Sequence, residues 1–172
     1  VDKDHCAVLA LLMAAGVGYA SVHRLMDVAH GRGMEFAELV RATPRRLTEW
    51  LPSGQEALAA RILEARRLMP CAAALIRAAK KRHATFAACH EKAFPNALRA
   101  YLGKDCPPLL SFVGDTKILA SNFGAVVGTR TPSPEGLGLA RACAQAIVEA
   151  RCGVISGGAE GVDTAAHRRA LE

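Results

Sequence analysis

The sequence predicts an α/β protein: an all-helical N-terminal region followed by the start of an open parallel sheet. Three observations carry this. Gly124 to Val127 and Gly153 to Ser156 are short apolar runs, too short for helices and closed by glycines, the character of parallel strands buried on both faces. Between them lies one amphipathic helix, with Leu137, Ala140, Ala144, Ile147 and Val148 on one face and Arg141, Gln145 and Glu149 on the other. Upstream, to about residue 82, the apolar spacing is helical throughout.

The bulk numbers fit one ordinary domain or two small ones. The chain has 172 residues, of which 51% are hydrophobic, enough for a core without crosslinks. Formal net charge is +6, unevenly placed: residues 1–120 hold 17 Lys and Arg against 11 Asp and Glu, while residues 121–172 hold five of each. A positive balance of this kind favours a polyanionic partner. The six cysteines (Cys6, Cys71, Cys89, Cys106, Cys143, Cys152) form no CxxC pair and read as reduced thiols of a cytoplasmic protein. Cys143, on the amphipathic helix, and Cys152, opening a strand, read as buried small apolar residues. Adjacent Cys89 and His90, with His83 nearby, lack the paired spacing of a zinc site, so no metal is assigned. No secretory-signal pattern and no apolar run of membrane-spanning length is present, so no membrane partner is expected.

Taken in order, Asp4 to Ala15 is an apolar helix, broken by Gly16-Val17-Gly18. Ser21 to His30 restarts a helix with Val22, Leu25, Met26 and Ala29 on one side. Helix, Gly-hydrophobic-Gly, helix is the pattern of a helix-hairpin-helix, whose backbone N–H groups approach a phosphate without sequence preference. A plain αα-turn reads the same way. Phe36, Leu39 and Val40 mark a short helix. Thr43 caps the next, with Pro44 at its first position, reaching Trp50. Ser53 is expected to cap a longer helix, Gln55 to Met69, that Pro70 ends. Cys71 to Arg82 is then a separate helix, tipped by Lys80, Lys81 and Arg82, cations favourable against its dipole. Ala84 to Ala88 and Leu109 to Val113 read as strands, expected to extend the sheet beside the first crossover strand. Phe94 to Tyr101 is a turn or helix between them. The expected domains are therefore 1–82, helical, and 83–172, α/β.

The chemistry concentrates in two turns. Ser133 is an N-cap and Pro134 follows at the first helical position, so the strand–helix–strand unit is a right-handed crossover. Both glycine turns then emerge at the carboxyl ends of the strands, where open α/β sheets bind ligands. In the first, the N–H groups of Gly128-Thr129-Arg130, the hydroxyls of Thr129 and Ser133 and the Arg130 guanidinium can converge on one anion. The second, Ser156-Gly157-Gly158-Ala159-Glu160-Gly161, offers a like nest, and Asp163 caps or begins the helix that follows. Dinucleotide, nucleoside-triphosphatase and serine-elbow motifs are absent: there is no GxGxxG, no GxxxxGK[ST] and no GxSxG. Asp163 and His167, four apart, could be an acid–base pair beside a substrate. The preferred reading is structural, a pair that needs only each other and a backbone carbonyl.

At these residues, VVGTRTPSPEG and SGGAEGVDTAAHRRAL, the chain resembles the DNA-processing protein A (DprA, or Smf) family, with its strand, G-[ST]-R, x-P-S-x-x-G, helix and S-G-x-A-x-G-[IV]-D-x-x-A-H sequence. Pro107-Pro108-Leu109-Leu110 and Val113-Gly114-Asp115 resemble the segment that precedes this fold. The Gly-Val-Gly hairpin sits where the family carries a small helical, SAM-like domain. The resemblance implies an extended Rossmann-like fold that binds single-stranded DNA, and a non-enzymatic role without cofactor: protecting strands in natural transformation and handing them to the RecA recombinase. It implies one phosphate site at Gly128, Thr129, Arg130 and Ser133, and another at Ser156, Gly157, Gly158 and Gly161. Glu160 departs from the neutral or basic residue expected there. The sequence is read as a fragment that stops inside a helix. The resemblance places the homodimer and recombinase surfaces in a further half of the fold. The rival class is a nucleotide-binding enzyme of the lysine-decarboxylase-like phosphoribohydrolase type, or a nucleotide sensor. Asp163 after Gly161-Val162, where that motif has Gly-Thr, argues against it.

Overall fold

The computed structural model describes residues 2–52 and 54–172. The chain is a mixed α/β protein that divides into two compact units, Val1–Thr116 and Lys117–Glu172. Each described unit contains one two-stranded sheet.

The first unit runs α1 (Lys3–Met13), α2 (Tyr19–Gly31), α3 (Phe36–Arg41), α4 (Pro44–Trp50), α5 (Glu56–Lys80), β1 (Ala84–Ala88), α6 (Asn96–Leu102), a 3-10 turn and β2 (Leu109–Val113). Its centre is α1, which buries Cys6, Ala7, Val8, Ala10 and Leu11. Those small and aliphatic side chains let α1 lie closely along α5. Asp2 caps α1, accepting from the amides of Asp4 (2.8 Å) and His5 (3.0 Å). Asp4 in turn accepts from the amides of Ala37 (2.7 Å) and Phe36 (3.3 Å), so a side chain of α1 serves as the missing cap of α3. Thr43 caps α4 with Pro44 at its first position, as its sequence predicts. The expected cap at Ser53 lies outside the described residues.

Two expectations for this unit are corrected. Pro70 does not end a helix: α5 is continuous over 25 residues, with Pro70 inside it. The reason is tertiary. Ile62, Ala65, Ala72 and Ile76 keep one buried face across the proline, which is itself exposed. The second correction concerns the sheet. β1 and β2 pair with each other, antiparallel, Ala84 opposite Val113 and Ala88 opposite Leu109, rather than extending the parallel sheet. Ala87, Cys89, Phe94 and Cys106 from this hairpin region join the same core as α1 to α5. The division between compact units therefore falls at 116/117, whereas the helical run ends near residue 82.

The second unit is β3 (Phe123–Ala125), α7 (Pro134–Glu149), β4 (Gly153–Ile155) and α8 (Val162–Leu171). The strands are parallel, Phe123 opposite Gly153 and Ala125 opposite Ile155, and the Val126 amide adds one further bond to Ile155 O at 3.0 Å. Close approach dictates the glycines. A Cβ on Gly124 would stand 2.6 Å from Cδ1 of Ile147, and one on Gly153 would stand 2.6 Å from the Phe123 ring. Ser133 caps α7 through its Oγ, which accepts from the Gly136 amide at 3.2 Å. The buried stripe of α7 is narrower than the sequence pattern suggests. Ala140 and Ala144 are buried, but Val148 and Cys143 are exposed and Cys152 is half-buried. Val148 sits at the flank of the stripe, and Cys143 is turned about 100° from Ala144.

Candidate nucleic-acid interface

The two glycine turns leave β3 and β4 at the same sheet edge and are fastened to each other. The Ser156 hydroxyl donates to Val126 O at 2.6 Å, and the Val162 amide donates to Thr129 O at 3.2 Å. Gly161 takes φ +86°, and a Cβ there would lie 2.5 Å from Thr129 O and 2.7 Å from Arg130 O. A Cβ on Gly128 would lie 2.8 Å from the Val162 side chain. No side chain fits at either contact. Gly158 also has positive φ, +73°, turning the second loop back toward α8.

Of the eight residues expected here, the structure brings Gly128, Thr129, Arg130 and Gly161 into direct contact and ties Ser156 to the base of the first turn. The hydroxyls are largely committed within the protein. Thr129 Oγ1 accepts from the Thr131 amide at 3.2 Å. Ser133 serves as the helix cap and also bonds Glu135, whose carboxyl its own amide and the Ser133 hydroxyl hold below the ordinary range. What faces outward is backbone and one cation. Among the described residues, the amides of Gly128, Arg130, Gly157 and Gly158 donate to no protein acceptor, and the exposed Arg130 guanidinium has no hydrogen-bond or ion-pair partner. Exposed N–H groups before two helix N-termini, with the exposed Arg130 in the first of the two turns, are a donor set suited to an anion.

The carboxylates near this edge behave differently from one another. Glu160 is exposed in the second turn. Asp163 is buried: its Oδ2 accepts from the Ala159 amide at 3.4 Å, while Oδ1 has no partner. Asp163 and His167 form no hydrogen bond with each other, so the expected pair is replaced by this turn-closing contact. Thr164 completes the closure, donating its hydroxyl to Ala159 O at 2.6 Å.

The first unit adds features the sequence pattern did not single out. Trp50, the single tryptophan, lies under two guanidinium groups, Arg32 at 5.8 Å and Arg46 at 5.9 Å from the ring. Arg46 and Trp50 are four apart on α4, a spacing visible in the sequence, whereas Arg32 comes from the end of α2 and gives no such signal. Gly16 in the α1–α2 turn has φ +73°, and the Arg61 guanidinium lies over it, 3.6 Å from where a Cβ would be. Asp2, His5 and Glu91 place donor atoms within 4.8 Å of one another. Most of those donors are engaged: Asp2 caps α1, and Glu91 takes His5 Nε2 at 2.9 Å and the Ala88 amide at 3.0 Å, while the buried His5 Nδ1 has no partner. No helix among the described residues is long and apolar enough to cross a membrane.

No curated protein matches the chain. The family model for DNA recombination-mediator protein A matches residues 85–172, a span that includes both glycine turns and the strands that carry them. That match covers just over half of the sequence, and the chain belongs to this family.

Proposed function

We propose that the protein binds single-stranded DNA along the edge formed by its two glycine turns and acts as a recombination mediator rather than an enzyme. In this reading it works in the cytoplasm, protects strands taken up in natural transformation and delivers them to RecA, with self-association through a homodimer. The β3–α7–β4–α8 unit is taken as the first half of an extended Rossmann-like fold, and α1–α2 as a helix-hairpin-helix of a SAM-like domain. One observation carries the proposal: the exposed, uncommitted Arg130 stands beside free turn amides at the carboxyl edge of two parallel strands. Backbone amides and one guanidinium recognise successive phosphates without reading bases. Family membership supports a role in DNA processing.

The test is fluorescence anisotropy of labelled oligo-dT, single- and double-stranded, across a salt series. Single strands are expected to bind more tightly. Arg130→Ala is expected to weaken binding and to reduce the salt slope by about 0.7, the loss of one phosphate contact on a single strand. Binding confined to mononucleotides, or release of free base from a nucleoside monophosphate, would replace this reading with a nucleotide sensor or a phosphoribohydrolase.

A further inference from the structure

In the first unit, a cavity of about 310 Å³ lies between α2 and the turn after β1, lined among others by His23, Met26, Asp27, His30, Cys89 and His90. Three soft or borderline donors converge on it. His23 and Met26 are three residues apart on α2 and share a face. Cys89 is delivered by the hairpin, its amide anchored to Pro108 O at 2.9 Å. The Cys89 sulfur stands 3.6 Å from His23 Nδ1 and 3.6 Å from the Met26 thioether.

The imidazole is already oriented for ligation. His23 Nε2 is 2.7 Å from the carbonyl oxygen of Cys106, which only accepts, so Nε2 carries the proton and Nδ1 presents its lone pair to Cys89. Fixing a ligating histidine through a backbone carbonyl on its other nitrogen is a regular feature of metal sites. With bond lengths of the size zinc makes, about 2.3 Å to a thiolate and about 2.1 Å to an imidazole, a shared metal sets those two donors about 3.6 Å apart at a tetrahedral angle, which matches the separation of the Cys89 sulfur from His23 Nδ1.

We infer that His23, Met26 and Cys89 form a binding site for a soft monovalent cation, Cu(I). The donor set selects the metal: thiolate and thioether favour Cu(I), whereas Mg²⁺ and Ca²⁺ demand oxygen. Binding releases the Cys89 thiol proton to solvent, so that the thiolate balances the single positive charge of Cu(I). The exposed His30 and His90 line the same cavity and offer an incoming ion its first nitrogen donors. The site does not rest on the DNA-binding reading.

The test is anaerobic titration of the full chain with Cu(I) in competition with bathocuproine disulfonate. One Cu(I) per chain should be withheld from the chelator, with a thiolate-to-copper ultraviolet band. Cys89→Ser should abolish the band, and the near-isosteric Met26→Leu should lower affinity at least about tenfold. Joint replacement of the two exposed cysteines, Cys71→Ser with Cys143→Ser, should change neither. Circular dichroism checks that each variant keeps its helices, and if Cys89→Ser does not fold, Met26→Leu decides. Copper lost only with the exposed cysteines overturns the inference. So does copper left wholly on the chelator, or an affinity indifferent to Met26.

Discussion

At Gly161 a single methyl group would have to share space with two carbonyl oxygens, 2.5 and 2.7 Å away, in a backbone conformation with φ +86°. Gly161→Ala is therefore expected to destabilise the second unit by at least about 2 kcal/mol, through strain and clash together. Gly138 is the internal control. It lies within α7 with nothing inside 4 Å of its would-be Cβ, so Gly138→Ala should stabilise by about 1 kcal/mol through helix propensity alone. Urea unfolding of the two variants should move in opposite directions, and a Gly161→Ala protein as stable as the parent would refute the account of the interlocked turns. At this scale the glycine turns were legible, because turn chemistry is local. So was the cap at Ser133, but the bonds that Ser156 and Asp163 make were not. A hydroxyl near a strand end is equally a ligand donor or a structural bond, and only the position of Val126 O, across the sheet, makes Ser156 the latter.

Helices and strands followed local signals closely where those signals were punctuation: Thr43-Pro44 and Ser133-Pro134 start α4 and α7 as their cap chemistry dictates. Pro70 shows where punctuation is overruled. A proline in a helix interior costs up to about 3 kcal/mol, yet α5 runs through it because the buried face on either side belongs to one packing surface against α1. No sequence window contains that surface, since α1 lies some fifty residues away. Pro70 is exposed, so Pro70→Ala should recover part of the cost, about 1–3 kcal/mol, and raise the urea midpoint of the first unit. A fall in stability would mean that the proline positions the two halves of α5 in a way the buried face depends on.

For the whole molecule, the existence of each strand was readable, but its partner was not. β1 and β2 carry enough apolar residues to join either a parallel sheet or a hairpin, and pairing depends on which core receives Ala87, Cys89, Phe94 and Cys106. They enter the helical core, so the family match beginning at residue 85 and the compact division at 116/117 mark different things. The first follows sequence pattern, the second packing. This distinction has a measurable consequence. A chain cut after residue 82 loses the His5–Glu91 contact at 2.9 Å and the buried Phe94, the latter alone worth about 2–3 kcal/mol of apolar burial. Residues 1–116 should therefore unfold cooperatively in urea with a defined near-ultraviolet circular dichroism signal from Trp50, while residues 1–82 should keep helix but bind a hydrophobic dye and lose that signal. Equal stability of the two fragments would show that α1 to α5 complete their own core, and that the hairpin rests on it without holding it together.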